Sequence, residues 1–126
     1  MKKLSSGMAN RIEDRHMMAY FKWLKLAFPI AYECTFHAPN EGKRNYIYGS
    51  KLGIKPGVPD IIMLYPIKVF HGLCIELKRP VSLGKSKGIL TYSQNKMIMD
   101  LIGNGYSCSV CYGWEEAKIF TENYLR

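Results

Sequence analysis

The chain has 126 residues, of which 48% are hydrophobic, and it carries 18 Lys and Arg against 10 Asp and Glu, a formal net charge of +8. This length and composition predict one folded domain over residues 1–126 and exclude a disordered chain. No apolar run approaches the roughly 20 residues that span a bilayer, and the N-terminus lacks the apolar core of a signal peptide. We therefore expect a cytoplasmic protein without membrane contact. Because the basic residues are scattered along the chain, their excess favours a nucleic-acid partner over a membrane surface.

The first third of the chain predicts a helix and then a strand. Apolar residues recur at helical spacing over residues 10–28, and Pro29 ends that pattern. Residues 32–38 alternate between apolar and polar side chains, which predicts a strand that leads into a polar turn. Residues 45–55 fit either a short helix or irregular structure, and the sequence does not decide between them.

The middle of the chain predicts two neighbouring strands, over residues 61–65 and 73–78. The connection between them contains Pro66 and is short enough for an antiparallel pair. A glycine- and lysine-rich loop follows at residues 79–88, and loops on rigid scaffolds often carry binding groups. A solvated loop without function fits the same residues.

The last third predicts a helix, a strand and a second helix. The first helix begins with the capping-box pattern Thr91-x-x-Gln94 and ends at one of the glycines near residue 104. The strand at residues 106–112 should lie parallel to the strand at 73–78, and a short helix over residues 114–124 closes the chain. The predicted order is α-β-β-β-α-β-α, an α/β protein with a mixed sheet.

Two acids and a lysine occupy informative places in the two central strands. Asp60 opens the first strand, while Glu76 and Lys78 lie two residues apart near the end of the second and so point to the same face. Charged side chains in a buried strand are unfavourable unless they are paired or bind a metal. A hard cation between Asp60 and Glu76 would neutralise a phosphate and acidify an attacking water. The alternative is that Asp60 is a turn residue and that the other two face solvent.

Two further polar residues each have two interpretations. The apolar stripe of the first helix, continued back by one turn, reaches Glu13, which could point toward a site at the edge of the sheet. However, Asn10-x-x-Glu13 also resembles a capping box. Likewise, helix capping alone would account for Gln94.

The four cysteines raise the question of a metal site. Cys108-x-x-Cys111 could be half of a zinc site, but no second Cys or His pair has matching spacing. We therefore expect reduced, structural thiols, and disulfides are unusual in cytosolic proteins.

Taken in order, a set of short motifs resembles one nuclease family. The set consists of Glu13 with Trp23, then His37-Ala38-Pro39-Asn40-Glu41-Gly42 with Arg44, Gly57-Val58-Pro59-Asp60, Gly72-Leu73-Cys74-Ile75-Glu76-Leu77-Lys78, Ser93-Gln94 and Gly105-Tyr106. It is similar to the virus-type replication-repair nuclease (VRR-Nuc) domain of the PD-(D/E)XK superfamily, in its stand-alone phage or bacterial form. The match covers nearly the whole chain. It departs from the family at Met17, where a glutamine is common, and in the loop before Gln94.

The resemblance implies a restriction-endonuclease-like αβββαβ core and a role for each site residue. Asp60 and Glu76 would be ligands of Mg²⁺ or Mn²⁺, with Glu13 contributing through water and the Leu77 backbone as a further ligand. Lys78 would be the catalytic lysine. Gln94 would orient the site, and Glu13 would complete the acidic cluster.

The resemblance also implies a substrate and an assembly. The expected activity is structure-specific, metal-dependent cleavage of DNA, with a homodimer that resolves four-way (Holliday) junctions. A flap, nicking or restriction-type nuclease, an RNA-processing nuclease and a non-catalytic DNA-binding module remain alternatives. His37, Asn40 and Arg44 match a family motif for which loop stabilisation or DNA contact is expected rather than catalysis. The residues expected to contact phosphates are Lys43, Arg44, Arg79, Lys85 and Lys87.

Overall fold

The computed structural model describes residues 6–39, 46–82 and 88–126 of the chain. Within these ranges there are five helices: α1 (Ser6–Ala27), α2 (Pro29–Glu33), α3 (Tyr46–Lys51), α4 (Tyr92–Gly103) and α5 (Trp114–Leu125). The same ranges contain four strands: β1 (Thr35–His37), β2 (Ile61–Met63), β3 (Leu73–Lys78) and β4 (Ser107–Tyr112). The predicted order is confirmed, with α2 and α3 as short additional helices.

The four strands form one mixed sheet in the order β1-β2-β3-β4. β1 pairs antiparallel with β2, and β2 pairs antiparallel with β3, as predicted for strands joined through Pro66. β3 pairs parallel with β4, as predicted for strands separated by a crossover helix. Because β3 has a neighbour on each side, five of its six residues are buried.

The side chains of β3 point alternately to two layers of the molecule. Leu73, Ile75 and Leu77 join the main hydrophobic core, to which α1 contributes Tyr20 and Leu24 and α5 contributes Ala117 and Tyr124. Cys74, Glu76 and Lys78 point the opposite way, where α4 lies. The end of β3 is therefore reached by α1 from one face of the sheet and by α4 from the other.

The first third of the chain differs from the prediction at its proline. Pro29 begins a second helix instead of a loop, and Tyr32 is part of that helix, so the strand is limited to Thr35–His37. The fixed φ of proline and its missing N–H suit the first turn of a helix, where the amide has no intrahelical partner. Phe28, whose backbone is not helical (φ −139°, ψ 70°), separates the two helices.

The second strand is also shorter than predicted, since it ends at Met63 rather than at residue 65. The N–H of Leu64 still donates to the carbonyl oxygen of Cys34 (2.9 Å), so β-type pairing extends one residue further on this side. In the described part of the chain, no helix has both the length and the apolar character needed to cross a membrane.

Candidate active site

The five residues predicted to carry the chemistry line one cavity. Its volume is about 480 Å³, and it opens at the end of the sheet where β3 finishes and β2 begins. The lining residues come from α1, β1, β3, α4 and the turn before β2: Glu13, Asp14, Met17, His37, Pro39, Asp60, Glu76, Leu77, Lys78 and Gln94. Tertiary structure thus gathers groups that are up to 81 positions apart between Glu13 and Gln94.

Asp60 is held in place through its side chain and its backbone. Its carboxylate oxygen Oδ2 accepts a hydrogen bond from the N–H of Leu77 (2.8 Å). Its carbonyl oxygen accepts two more, from the N–H of Ala38 (2.8 Å) and from Nδ1 of His37 (2.7 Å). The position of the carboxylate is therefore fixed by β1 and β3 together. In the structure, Leu77 contacts Asp60 through its backbone N–H. The expected role of the Leu77 backbone as a metal ligand stays a prediction.

Glu76 is a buried carboxylate that is satisfied on one oxygen only. The residue is 4% exposed. Its Oε1 accepts a hydrogen bond from Nε2 of Gln94 (3.0 Å) and lies 3.7 Å from Nζ of Lys78. Its Oε2 is buried and has no hydrogen-bond partner among residues 6–39, 46–82 and 88–126. The carboxyl group of Glu76 also interacts with that of Asp60, and either a shared proton or a bound cation relieves such a buried pair.

Burial raises the pKa of all three acids in the cavity, and repulsion from Asp60 adds to this effect for Glu76 and Glu13. Burial and the carboxylate of Asp60 raise the pKa of Glu76 to about 8, against the opposing effect of Lys78. Burial also raises the pKa of Asp60, although the Leu77 N–H opposes it. The pKa of Glu13 is raised by burial and by Asp60. A bound cation would offset the burial of all three acids and the repulsion of Glu76 and Glu13 by Asp60.

The donor set suits a hard cation that keeps much of its water. In the described residues, no three His, Cys, Asp or Glu side chains lie close enough to enclose a metal on their own. Mg²⁺ is usually held by one or two carboxylates, with water and substrate oxygens completing its shell. Asp60 and Glu76 with its free Oε2 fit that pattern.

Gln94 both caps α4 and contacts the two charged residues of β3, and its expected role in orienting the site stays a prediction. It forms the capping box of α4, in which its Oε1 accepts from the N–H of Thr91 (2.9 Å) and its own N–H donates to Oγ1 of Thr91. The same Oε1 accepts from Nζ of Lys78 (3.3 Å), while Nε2 donates to Glu76. The cap thus fixes the rotamer that reaches the two β3 residues.

The structure decides between the two interpretations of Glu13. α1 begins at Ser6, four residues before Asn10, so Asn10 is not the N-cap residue and the proposed capping box is wrong. Glu13 instead lines the cavity and is half-buried. Its pKa responds to Asp60, Lys78 and Arg79, which places it within the electrostatic reach of the β3 site.

Gly57 joins the turn before Asp60 to the first turn of α4. Its φ is +83°, and a Cβ at this position would lie 2.3 Å from the carbonyl oxygen of Ser93 and 2.7 Å from the backbone N of Gln94. Only glycine permits both the positive φ and this close approach. The turn that carries Asp60 and the helix that carries Gln94 are therefore in direct backbone contact.

We expect Gly57→Ala to destabilise the fold by about 2 kcal/mol or more, because it adds backbone strain and a clash with α4. Urea unfolding of the purified variant would measure this effect. Gly103→Ala is the matched control, since its added Cβ meets no atom within 4 Å and its φ is not positive. Equal stability of the Gly57→Ala variant and the wild type would contradict the close contact.

Four cavity residues were not predicted as part of the site: Asp14, Met17, His37 and Pro39. His37 belongs to one of the family-like motifs. It pairs with Ile61, the residue after Asp60, so a predicted pairing of these two strands would have located His37 at the site. Asp14 follows Glu13 directly, but nothing in the sequence distinguishes it from a solvent-facing acid. Met17 lies one turn after Glu13, on the stripe that was assigned to the core.

Most of the predicted phosphate contacts lie outside the described residues, namely Lys43, Arg44, Lys85 and Lys87, as does Asn40. Arg79 is described. It follows β3 directly, is half-buried, and its charge lowers the pKa of Glu13. Arg79 therefore lies beside the cavity, as expected for a phosphate contact, although that role stays a prediction.

Strand geometry excludes the half zinc site. Residues three apart in a strand point to opposite faces. Cys108 lies opposite Cys74 on the neighbouring strand, whereas Cys111 is part of the core between the sheet, α1 and α5. Cys108 and Cys111 cannot converge on one ion, and all four cysteines are free.

A solved structure shares this architecture. No protein-family profile matches the sequence, and no curated protein is significantly similar to it. A structure described as a VRR_NUC domain protein superposes with a TM-score of 0.75 over 90% of this chain and 87% of that chain, with 25% identical residues. The chain therefore carries a VRR-Nuc domain. The mixed four-stranded sheet of this VRR-Nuc domain confirms the predicted restriction-endonuclease-like α+β fold, and the chain is a nuclease domain.

Proposed function

We propose that this VRR-Nuc domain is a Mg²⁺- or Mn²⁺-dependent endonuclease that hydrolyses phosphodiester bonds of branched DNA and resolves four-way junctions as a homodimer. The observation that carries the proposal is the buried Oε2 of Glu76, which has no hydrogen-bond partner among the described residues and belongs to a side chain that lines one cavity with Asp60 and Lys78. A purely structural pair of charges would be satisfied within the fold.

Asp60 and Glu76 would hold the metal directly, Glu13 through water, and the Leu77 backbone would add a further ligand. A bound Mg²⁺ or Mn²⁺ would supply positive charge for the phosphate and favour ionisation of the attacking water. The Leu77 N–H holds one oxygen of Asp60 in place. Gln94 donates to Oε1 of Glu76 and so fixes the position of that carboxyl group beside Asp60.

Lys78 acts as a donor in this arrangement. Its Nζ donates to Gln94 and lies 3.7 Å from Oε1 of Glu76, so its orientation is fixed without a bound substrate. A phosphate oxygen that gains negative charge in the transition state is stabilised by such a fixed donor. In the hydrolysis, the water oxygen bonds to phosphorus as the bond from phosphorus to the 3′ oxygen breaks. The departing oxygen ends with one proton derived from water.

The surface charge supports a polyanionic substrate. The net charge is +8. On α1, the exposed residues Arg11, Arg15 and Lys22 form no ion pair with any residue that the structure describes. Unpaired cations of this kind attract the phosphate backbone irrespective of base sequence. A binding mode of this kind suits recognition of DNA shape.

The homodimer is supported by symmetry and by exposed apolar residues. A four-way junction has approximate two-fold symmetry, which a two-fold dimer with two sites would match. Phe36 is 45% exposed and Leu64 is 53% exposed. Phe36 lies in β1 and pairs with Ile62 of the antiparallel strand β2, which Leu64 follows directly. An apolar surface of this kind is typical of a protein interface.

Cleavage of a labelled four-way junction with unrelated arm sequences tests the proposal. Duplex, flap, single-stranded and matched RNA substrates would be compared in Mg²⁺, Mn²⁺ and EDTA, and light scattering would give the mass in solution. We expect paired nicks in the junction, metal dependence and a dimer. If flaps or RNA are cleaved as fast as the junction, the proposed preference for four-way DNA junctions is wrong. If no nucleic acid is cleaved with either metal, the proposed nuclease function is wrong.

A further inference from the structure

His37 lies at the edge of the proposed site. It is the last residue of β1, it pairs with Ile61, and its ring lines the same cavity as Asp60, Glu76 and Lys78. The side chain is exposed to the cavity rather than packed in the core. The ring is therefore near the reacting groups.

The hydrogen bond to Asp60 determines which ring nitrogen carries the proton. Nδ1 of His37 lies 2.7 Å from the carbonyl oxygen of Asp60. A carbonyl oxygen only accepts hydrogen bonds, so Nδ1 must be the donor and carry the proton. In the neutral ring, Nε2 then keeps its lone pair and acts only as an acceptor. Nε2 is on the side of the ring away from the carbonyl.

The polar groups of the cavity other than Asp14 already have different contacts or expected roles. Nζ of Lys78 donates to Gln94 and faces Glu76, so it offers protons and no lone pair. The N–H of Leu77 is bonded to Asp60. The carboxylates are needed for a cation. An acceptor such as Nε2 repels a phosphate oxygen, whereas a water molecule can donate to it.

We propose that Nε2 of His37 accepts a hydrogen bond from the water that attacks the phosphodiester and so orients the lone pair of that water toward phosphorus. This inference rests on the nuclease function proposed above. It makes His37 a catalytic residue, in contrast to the loop-stabilising or DNA-contacting role implied by the family resemblance. The bond to Asp60 then has a second effect, since it fixes both the tautomer and the orientation of the ring.

Two substitutions separate the two nitrogens of the ring. In His37→Asn, the side-chain amide can still donate to the Asp60 carbonyl, but nothing replaces Nε2. In His37→Ala, both contacts are lost. The measurements are the single-turnover rate on the DNA that wild type cleaves, the DNA dissociation constant in EDTA, and the rise in melting temperature caused by Mn²⁺ alone.

We expect His37→Asn to bind DNA and Mn²⁺ like wild type but to cleave at least about tenfold more slowly, the effect of one hydrogen bond lost in the transition state. Wild-type cleavage by His37→Asn would overturn the proposal and leave only the structural bond to Asp60. Loss of the Mn²⁺ effect in His37→Asn would overturn it too, because the ring would then act through the metal ligands. If the wild-type protein cleaves no DNA, the proposed nuclease function itself is wrong, and this inference fails with it.

Discussion

Replacing Asp60 by Asn, or Glu76 by Gln, is expected to reduce DNA cleavage by on the order of 10³-fold or more. Each change keeps the size of the side chain and removes the negative charge that would hold the cation. Single-turnover cleavage with saturating enzyme measures the chemical step. The same variants should lose the rise in melting temperature that Mg²⁺ or Mn²⁺ produces in wild type, because ligand binding to the folded state is what stabilises it.

Two further variants show whether the loss is specific to the site. Asp100→Asn removes an exposed carboxylate that pairs only with Lys96 on the surface of α4, so cleavage should be unchanged. Lys78→Met should lose cleavage but keep the metal-induced stabilisation, since a lysine does not bind the cation. Full activity of Asp60→Asn would show that Asp60 does not hold a metal ion that cleavage requires.

The metal-free protein is expected to lose stability as the pH rises from about 5 to about 8. The folded-state pKa of Glu76 is raised from 4.5 to about 8 by burial and by Asp60. The folded protein therefore binds this proton more tightly than the unfolded chain does. Its contribution to stability is fully present below pH 4.5 and disappears as the pH passes through 8. The raised pKa values of Asp60 and Glu13 act in the same direction.

Urea unfolding in EDTA between pH 5.5 and 8.5 measures this dependence, with an expected loss on the order of 2 kcal/mol. Glu76→Gln should remove most of it and be more stable than wild type at pH 8, because the buried charge is gone. Saturating Mn²⁺ should flatten the wild-type curve, since the cation stabilises the ionised carboxylates. An unchanged slope in Glu76→Gln would show that Glu76 does not titrate in this range.

The elements that could be predicted are those with a strong local signal. β3 and α4 were predicted with their observed starts because a continuous apolar run and a capping box define them locally. The strand at residues 32–38 was overextended, since the sequence does not reveal that Pro29 would begin a helix rather than end one. Whether a proline ends one helix or opens the next depends on what the following turn packs against.

The site residues divide in the same way. The functional pairing of Glu76 with Lys78 follows from strand alternation and could be inferred from spacing alone. For Glu13 and Gln94 the local pattern allowed a capping explanation. The longer α1 removed that explanation for Glu13, whereas Gln94 both caps α4 and contacts Glu76 and Lys78. His37 entered the cavity only through the pairing of β1 with β2.

The sequence by itself determined the class of fold, the order of the central elements and the residues Asp60, Glu76 and Lys78, because periodicity, caps and charge in an apolar strand are local properties. Only the tertiary structure decided that Glu13, His37 and Gln94 meet these three at one cavity, and that Oε2 of Glu76 is buried without a described partner. The physical reason is that burial, repulsion between carboxylates and hydrogen-bond satisfaction depend on distances between residues far apart in the chain. No local pattern encodes those distances.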